Sequence, residues 1–304
     1  MDGLRTATWR LPHGRNDRRR AILSAAAWLA LLAFATQAYL GDLRLEFFHR
    51  AGIHAVKRMG GQCAAEAFGT RGLCDEIVYT ARLSRVQLES FDGLEQLRRF
   101  PALRKVHLEG SSIGDADLRH LGGLAQLTYL DLSETDVGDD GLRFVGTLAG
   151  LEKLDAWETN VTDAGLRHLA GCRPLKDLWL DGCRVIGGGF ESLVESSVAV
   201  LSLKESELTD LTQIARMKWL RELEASGCRL DDESLAPLRA APRLAILYLE
   251  GIPLTDACLP HLAAMPRLES VSLKGTLVTA AGIRQLQHLR PELSIDAPDL
   301  PPLD

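Results

Sequence analysis

The chain has 304 residues, 46% of them apolar and 25% charged, and a net charge of −6 with histidine neutral. The charge is divided, +4 over residues 1–20 and −10 over the rest, and an acidic body argues against nucleic acid, whose binding rests on Lys and Arg neutralising phosphates. There is no phosphate-binding glycine loop, Gly-x-Ser-x-Gly elbow, His-Glu-x-x-His helix or paired-carboxylate motif, so neither an enzyme nor a cofactor has positive support.

Residues 1–20 form a basic N-terminus with six arginines against Asp2 and Asp17. Residues 21–40, AILSAAAWLALLAFATQAYL, carry no charge and match the thickness of a hydrocarbon core of about 30 Å. With the arginines cytoplasmic by the positive-inside rule, the body is expected outside the cytoplasm on a membrane anchor. The alternative is a cleavable signal with a small-residue site at Ala33-Phe34-Ala35, giving a secreted or periplasmic protein.

Residues 41–76 are expected to form an N-terminal helical cap. Phe47, Ala51, Ala55 and Met59 recur every four residues on one helix face, and Gly60-Gly61 is a helix stop. Cys63 and Cys74 can form a disulfide if this region is exported.

A short unit, Leu83 to Ala102, leads into eight regular units beginning at Leu103, Leu127, Leu151, Leu175, Val198, Leu220, Leu244 and Leu268, 22 to 24 residues apart. A period of this size means a solenoid, in which stacking buries what no unit can bury alone. The template LxxLxLxxTxVTDxGLxxLxxL alternates like a strand in its first half and spaces its leucines like a short helix in its second.

These units resemble the leucine-rich repeat family, in its ribonuclease-inhibitor-like or cysteine-containing form, over residues 77–297. The resemblance implies an α/β solenoid, a right-handed horseshoe with a parallel concave sheet and short convex helices. Residues 298–304 are a Pro-rich tail. The basic start, single apolar segment and Met-Gly-Gly turn at 59–61 are similar to those of bacterial membrane-anchored leucine-rich repeat proteins. Cysteine-containing repeats are also similar to those of F-box proteins, which would imply a ubiquitin-ligase adaptor, but no Leu-Pro-x-Glu segment occurs in residues 1–76.

The columns of the array separate structure from chemistry. Asp115, Asp139, Asp163, Asp210, Asp232 and Asp256 stand just ahead of the short helix in six units, where an N-cap carboxylate accepts orphan backbone N–H groups, and Gly187 and Ala280 take that place in the other two. Thr159 shares its column with Ser111, Thr135, Cys183, Ser206, Cys228, Ile252 and Thr276, small residues suited to an inward turn. Cys183 and Cys228 therefore read as buried packing residues, too far apart at two units for a disulfide. His120, His168 and His261 share a helix column and read as surface residues, and no metal site is expected. Gly141, Gly165 and Gly282 are expected to permit close packing between units.

The remaining variable positions are the outward strand residues, since neighbouring side chains alternate across a strand. Tyr129, Trp157 and Trp179 stand among Asp131, Asp155, Asp177 and Asp181, with a second patch around Tyr248. Aromatics flanked by charge on a polar face are how interface hot spots look. The expected function is a non-enzymatic scaffold holding a protein or peptide partner on the concave face. The alternatives are a purely structural component of the cell envelope and large aromatics that merely cover the sheet.

Overall fold

The computed structural model describes residues 62–67, 77–82, 94–100 and 103–297. All of these belong to the second of two compact units, 1–51 and 52–304. The apolar segment 21–40, the amphipathic pattern from Phe47 to Met59, Cys74 and the tail 298–304 lie outside the described residues. Among the described residues no helix is long and apolar enough to cross a membrane.

An eleven-stranded sheet runs in chain order. β1 (Gln62–Ala67) pairs antiparallel with β2 (Ile77–Arg82), with Cys63 opposite Ala81. Part of the expected helical cap is thus a strand: alternating small residues along QCAAEA suit an edge that pairs with the array. From β2 onward every pairing is parallel: β3 (Leu103–His107), β4 (Tyr129–Asp131), β5 (Lys153–Asp155), β6 (Asp177–Trp179), β7 (Val200–Ser202), β8 (Glu222–Glu224), β9 (Ile246–Tyr248), β10 (Ser270–Ser272) and β11 (Ser294–Asp296).

Each regular unit contributes three to five strand residues, a turn, and a return segment of short 3-10 or α-helix. Among the described residues there are four short α-helices, α1 (Asp139–Val145), α2 (Asp163–Leu166), α3 (Leu259–Ala263) and α4 (Ala280–Leu289). One continuous core holds the inward leucines: Leu130, Leu154, Leu178, Leu201, Leu223 and Leu247 stack from β4 to β9 and are fully buried. The period of 22 to 24 residues is the sequence image of this stack, because each register pair repeats the same core position in the next unit.

The aspartate column does something other than local capping. Gly114, Gly138, Thr162 and Thr255 occupy the N-cap positions one residue before Asp115, Asp139, Asp163 and Asp256, while Asp232 stands at an N-cap itself but makes no side-chain cap bond there. The aspartates reach into the following unit. Asp115 Oδ1 accepts the N–H of Gly138 at 2.6 Å. Asp139 accepts both the N–H and the hydroxyl of Thr162, at 2.8 and 2.7 Å. Asp232 holds Thr255, and Asp256 holds Thr279, in the same two-bond manner. Asp163 meets no threonine and instead accepts the N–H groups of Ile186, Gly187 and Gly189. Asp210 alone bonds locally, to the N–H of Thr212 at 2.8 Å. Where the donor is a glycine or a bare backbone, the orphan N–H groups at a helix start are satisfied by the preceding turn of the solenoid rather than by their own.

The glycine column follows from this ladder. A Cβ on Gly141 would lie 2.6 Å from Asp115 Oδ1, and one on Gly165 or Gly282 would overlap the carboxylates of Asp139 and Asp256. The turn column behaves as expected. Thr135, Thr159 and Thr276 donate to the carbonyls of Leu132, Ala156 and Leu273 at 2.5 to 2.7 Å. Cys183 and Cys228 are free and buried, and donate to Ala156 and Leu203 of the preceding unit. His120 and His168 are half-exposed, but His261 is buried, because Arg239 of the preceding unit lies across it with Nε 3.0 Å from Nδ1.

The candidate binding face

Parallel register places the expected face residues in rows across the sheet. Asp131, Asp155, Trp179, Ser202, Glu224 and Tyr248 form one row from β4 to β9. Trp157 stands two residues beyond Asp155 along the same chain, so it is diagonal to Trp179 of the next unit. Both tryptophans are half-exposed. Together with Asp155, Glu158, Asp181, Gly182, Lys204 and Glu205 they line a depression of about 380 Å³.

Serine hydroxyls tie the carboxylates of this face to neighbouring units. Ser133 Oγ donates to Asp155 Oδ1 at 2.9 Å while its N–H donates to Asp131 Oδ1 at 3.1 Å. Ser202 donates to Asp181, whose Oδ1 also accepts the Lys204 N–H at 2.8 Å. Ser272 donates to Glu250 at 2.6 Å. Ser133, Ser202, Ser226 and Ser272 are buried although they sit at outward positions, because the longer side chains on either side cover them.

These contacts set the protonation of the face. Burial pushes the Asp155 carboxyl up to about 6 against the Ser133 hydrogen bond, and the like charge of Asp131 adds to the rise. Burial also raises Asp181 above its usual range despite the Ser202 and Lys204 bonds. Burial works to raise Asp131 too, but the hydrogen bonds from His107 and Ser133 outweigh it and hold Asp131 below its usual value. Tyr129, its ring 4.9 Å from that of His107, stays a neutral phenol: burial and then Asp131 and Asp155 drive its ionisation well above the ordinary value.

The expected residues are therefore not equivalent. Trp157, Trp179, Asp155 and Asp181 come together in the groove. Asp131 is buried and engaged by His107 and Ser133, and Asp177 is ion-paired with Lys153. Their charges serve the sheet rather than face solvent. Tyr248 stands apart, flanked by Glu224 and Ser272.

Three residues of the face escaped the sequence reading. Glu134, Glu158 and Glu205 adopt left-handed backbone with φ of 51 to 57°, directly after the outward positions. In the same column Gly110, Gly182, Gly227, Gly251 and Gly275 take φ of 62 to 70° at little steric cost. The glutamate stems lie over the next unit's glycine: a Cβ on Gly182 would sit 3.1 Å from Glu158 Cγ, and one on Gly227 3.0 Å from Glu205 Cγ. The signal was available as glutamates interrupting a glycine column.

Among the described residues no group of three His, Cys, Asp or Glu side chains is arranged to hold a metal ion. The geometry offers two indole surfaces and several carboxyls, and it suits binding.

The sequence profile of a family described as Leucine Rich repeat matches residues 125–146. No curated protein matches the chain in sequence. Among solved structures, the chain is similar to the crystal structure of an internalin C2 from Listeria monocytogenes str. 4b F2365, at 20% identity and a TM-score of 0.43, covering 72% of this chain and 80% of that one. It is also similar to a plant peptide hormone receptor, RGFR1, solved in complex with RGF2, at 14% identity and a TM-score of 0.45, covering 67% of this chain and 34% of that one. The profile covers one unit of the array, which matches a leucine-rich repeat in sequence, and the strand-and-turn arrangement of that unit recurs in the others.

Proposed function

We propose that this protein is a non-enzymatic scaffold that binds a protein or peptide partner on the open face of its sheet, around Trp157 and Trp179. The observation that carries the reading is the groove itself. Two large indoles in adjacent rows stay half-exposed beside serines and carboxylates, and neither indole N–H makes a hydrogen bond among the described residues. Tryptophan is enriched at the centres of interfaces, where one face packs and the N–H bonds across. Tyr248 is a secondary contact on the same face.

The repeats are of the ribonuclease-inhibitor-like, cysteine-containing type in this reading, supported by Cys183 and Cys228 in the turn column. Residues 21–40 hold the repeats to a membrane on its extracytoplasmic side, supported by their uncharged length and the arginines before them. Cleavage after Ala35 would instead release a secreted or periplasmic protein.

The test is a quantitative pull-down with the full-length chain, wild type against Trp157→Ala with Trp179→Ala. Recovery of wild-type partners is expected to fall at least about tenfold, the effect of losing a hot spot worth 1.4 kcal/mol or more. Equal recovery by both baits would place the binding surface elsewhere.

A further inference from the structure

We propose that the groove between Trp157 and Trp179 receives an arginine side chain of the partner. This rests on the reading of the open face as a binding surface and names the chemistry that surface selects.

The groove is electrostatically one-sided. Asp155, Glu158, Asp181 and Glu205 line it against a single ammonium, Lys204, which is itself 3.7 Å from Glu205. Among the described residues Asp155, Glu158 and Asp181 make no ion pair, although the Lys204 ammonium acts on Asp181 from a distance, so four carboxyls around the two indoles face one ammonium of the lining. A cation entering the groove would meet indole rings and carboxylate acceptors, in a site where burial already disfavours Asp155 and Asp181 as bare anions.

The chain shows the same chemistry with its own cations, once beside this site and once elsewhere. Lys153 Nζ sits 5.9 Å from the Trp179 ring centroid while paired with Asp177. Away from the face, the Arg243 guanidinium stacks 4.1 Å from the Trp219 ring. Lys153 covers one approach to Trp179; the approach on the Trp157 side carries carboxyls and no cation except Lys204.

Arginine fits this approach better than lysine. A planar guanidinium stacks on indole and presents a fork of donors to carboxylates, and it loses less on leaving water than a compact ammonium. A neutral side chain of the same shape keeps the stacking and loses the charge.

The test measures calorimetric binding of an acetylated, amidated hexapeptide, Gly-Arg-Gly-Arg-Gly-Ser, to the full-length chain, beside versions with lysine or citrulline at both arginine positions. The arginine peptide is expected to bind, with the citrulline peptide at least about tenfold weaker and the lysine peptide between them. Asp155→Asn with Asp181→Asn is expected to weaken the arginine peptide by a similar factor, and Trp219→Ala to leave it unchanged. Equal binding of arginine and citrulline peptides to the wild type, or no binding of the arginine peptide, overturns the proposal, and neither result depends on a variant folding. If arginine selectivity is absent while the double-tryptophan variant still loses its partners, the arginine assignment falls and the binding face stands. If the double-tryptophan variant also keeps its partners, both fall.

Discussion

Asp163 Oδ1 accepts the backbone N–H of Gly189 in the following unit, at 2.5 Å, and so fixes the start of a helical turn that its own unit does not contain. The same carboxylate accepts Ile186 and Gly187. Inter-unit hydrogen bonds of this kind couple nearest neighbours in a solenoid, where stability is a sum of unit and interface terms. Asp163→Ala is expected to cost at least about 2 kcal/mol by leaving part-buried donors unpaired. Asp210→Ala, which removes one local bond, is expected to cost less than about 1 kcal/mol. Urea denaturation of the two variants checks the ranking.

The ladder also makes one glycine column intolerant. Gly165→Ala would drive a methyl into the Asp139 carboxylate and backbone, and is expected to destabilise by about 1–3 kcal/mol. At Gly188 the nearest atom to an added Cβ is Asp163 Oδ1 at 4.0 Å, so Gly188→Ala is expected to be neutral or mildly stabilising. Thermal unfolding of the pair separates them.

The left-handed glutamates are expected to trade stability for binding. An L side chain in that conformation costs roughly 1–2 kcal/mol, part of which glycine returns through its greater unfolded freedom. Glu134→Gly and Glu158→Gly should each gain up to about 1 kcal/mol of stability. Only Glu158→Gly, which lines the groove, should also weaken the arginine peptide, a contrast that calorimetry on both variants resolves.

Two neighbouring carboxyls should respond to pH in opposite senses. Asp155 has a raised value near 6, so the folded state holds its proton more tightly than the unfolded chain; stability from this group is present at low pH and is lost as pH rises from about 4 through 6. Asp131 is lowered, so its contribution is present above the ordinary carboxylate value and is lost as pH falls through the folded one. Asp155→Asn is thus expected to raise the melting temperature at pH 7.5 and not at pH 4, while Asp131→Asn lowers it at pH 7.5.

The buried thiols should be inert. Burial pushes Cys172 up to about 11 and Cys258 up to about 12, and raises Cys183 and Cys228 as well. Iodoacetamide at pH 8, where the thiolate fraction is then very small, is expected to spare all four in the native protein and to label them after denaturation, as read by peptide mass spectrometry.

The repeat array was legible because its period and its leucines are properties of single positions. What the sequence hid are relations between units. Asp139 and Asp163 look like local caps until the register brings Thr162 and Gly189 against them, and the threonines one unit after Asp139, Asp232 and Asp256 were the trace of that pairing. Strand alternation placed Trp157 and Trp179 on the open face, but the pairing of Asp177 with Lys153 and of Asp131 with His107 depends on which strand lies beside which. His261 shares its column with two half-exposed histidines and is buried only because Arg239 reaches across from the turn before it.

The central claim is that partners dock at the Trp157–Trp179 groove. Its most direct measurement places a benzoylphenylalanine photocrosslinker at position 157 of the full-length chain, and separately at the remote position 219, in cells that produce the protein. A discrete adduct from position 157 and none from position 219 is the expected result. Adducts from position 219 with none from position 157 would contradict the assignment of the face.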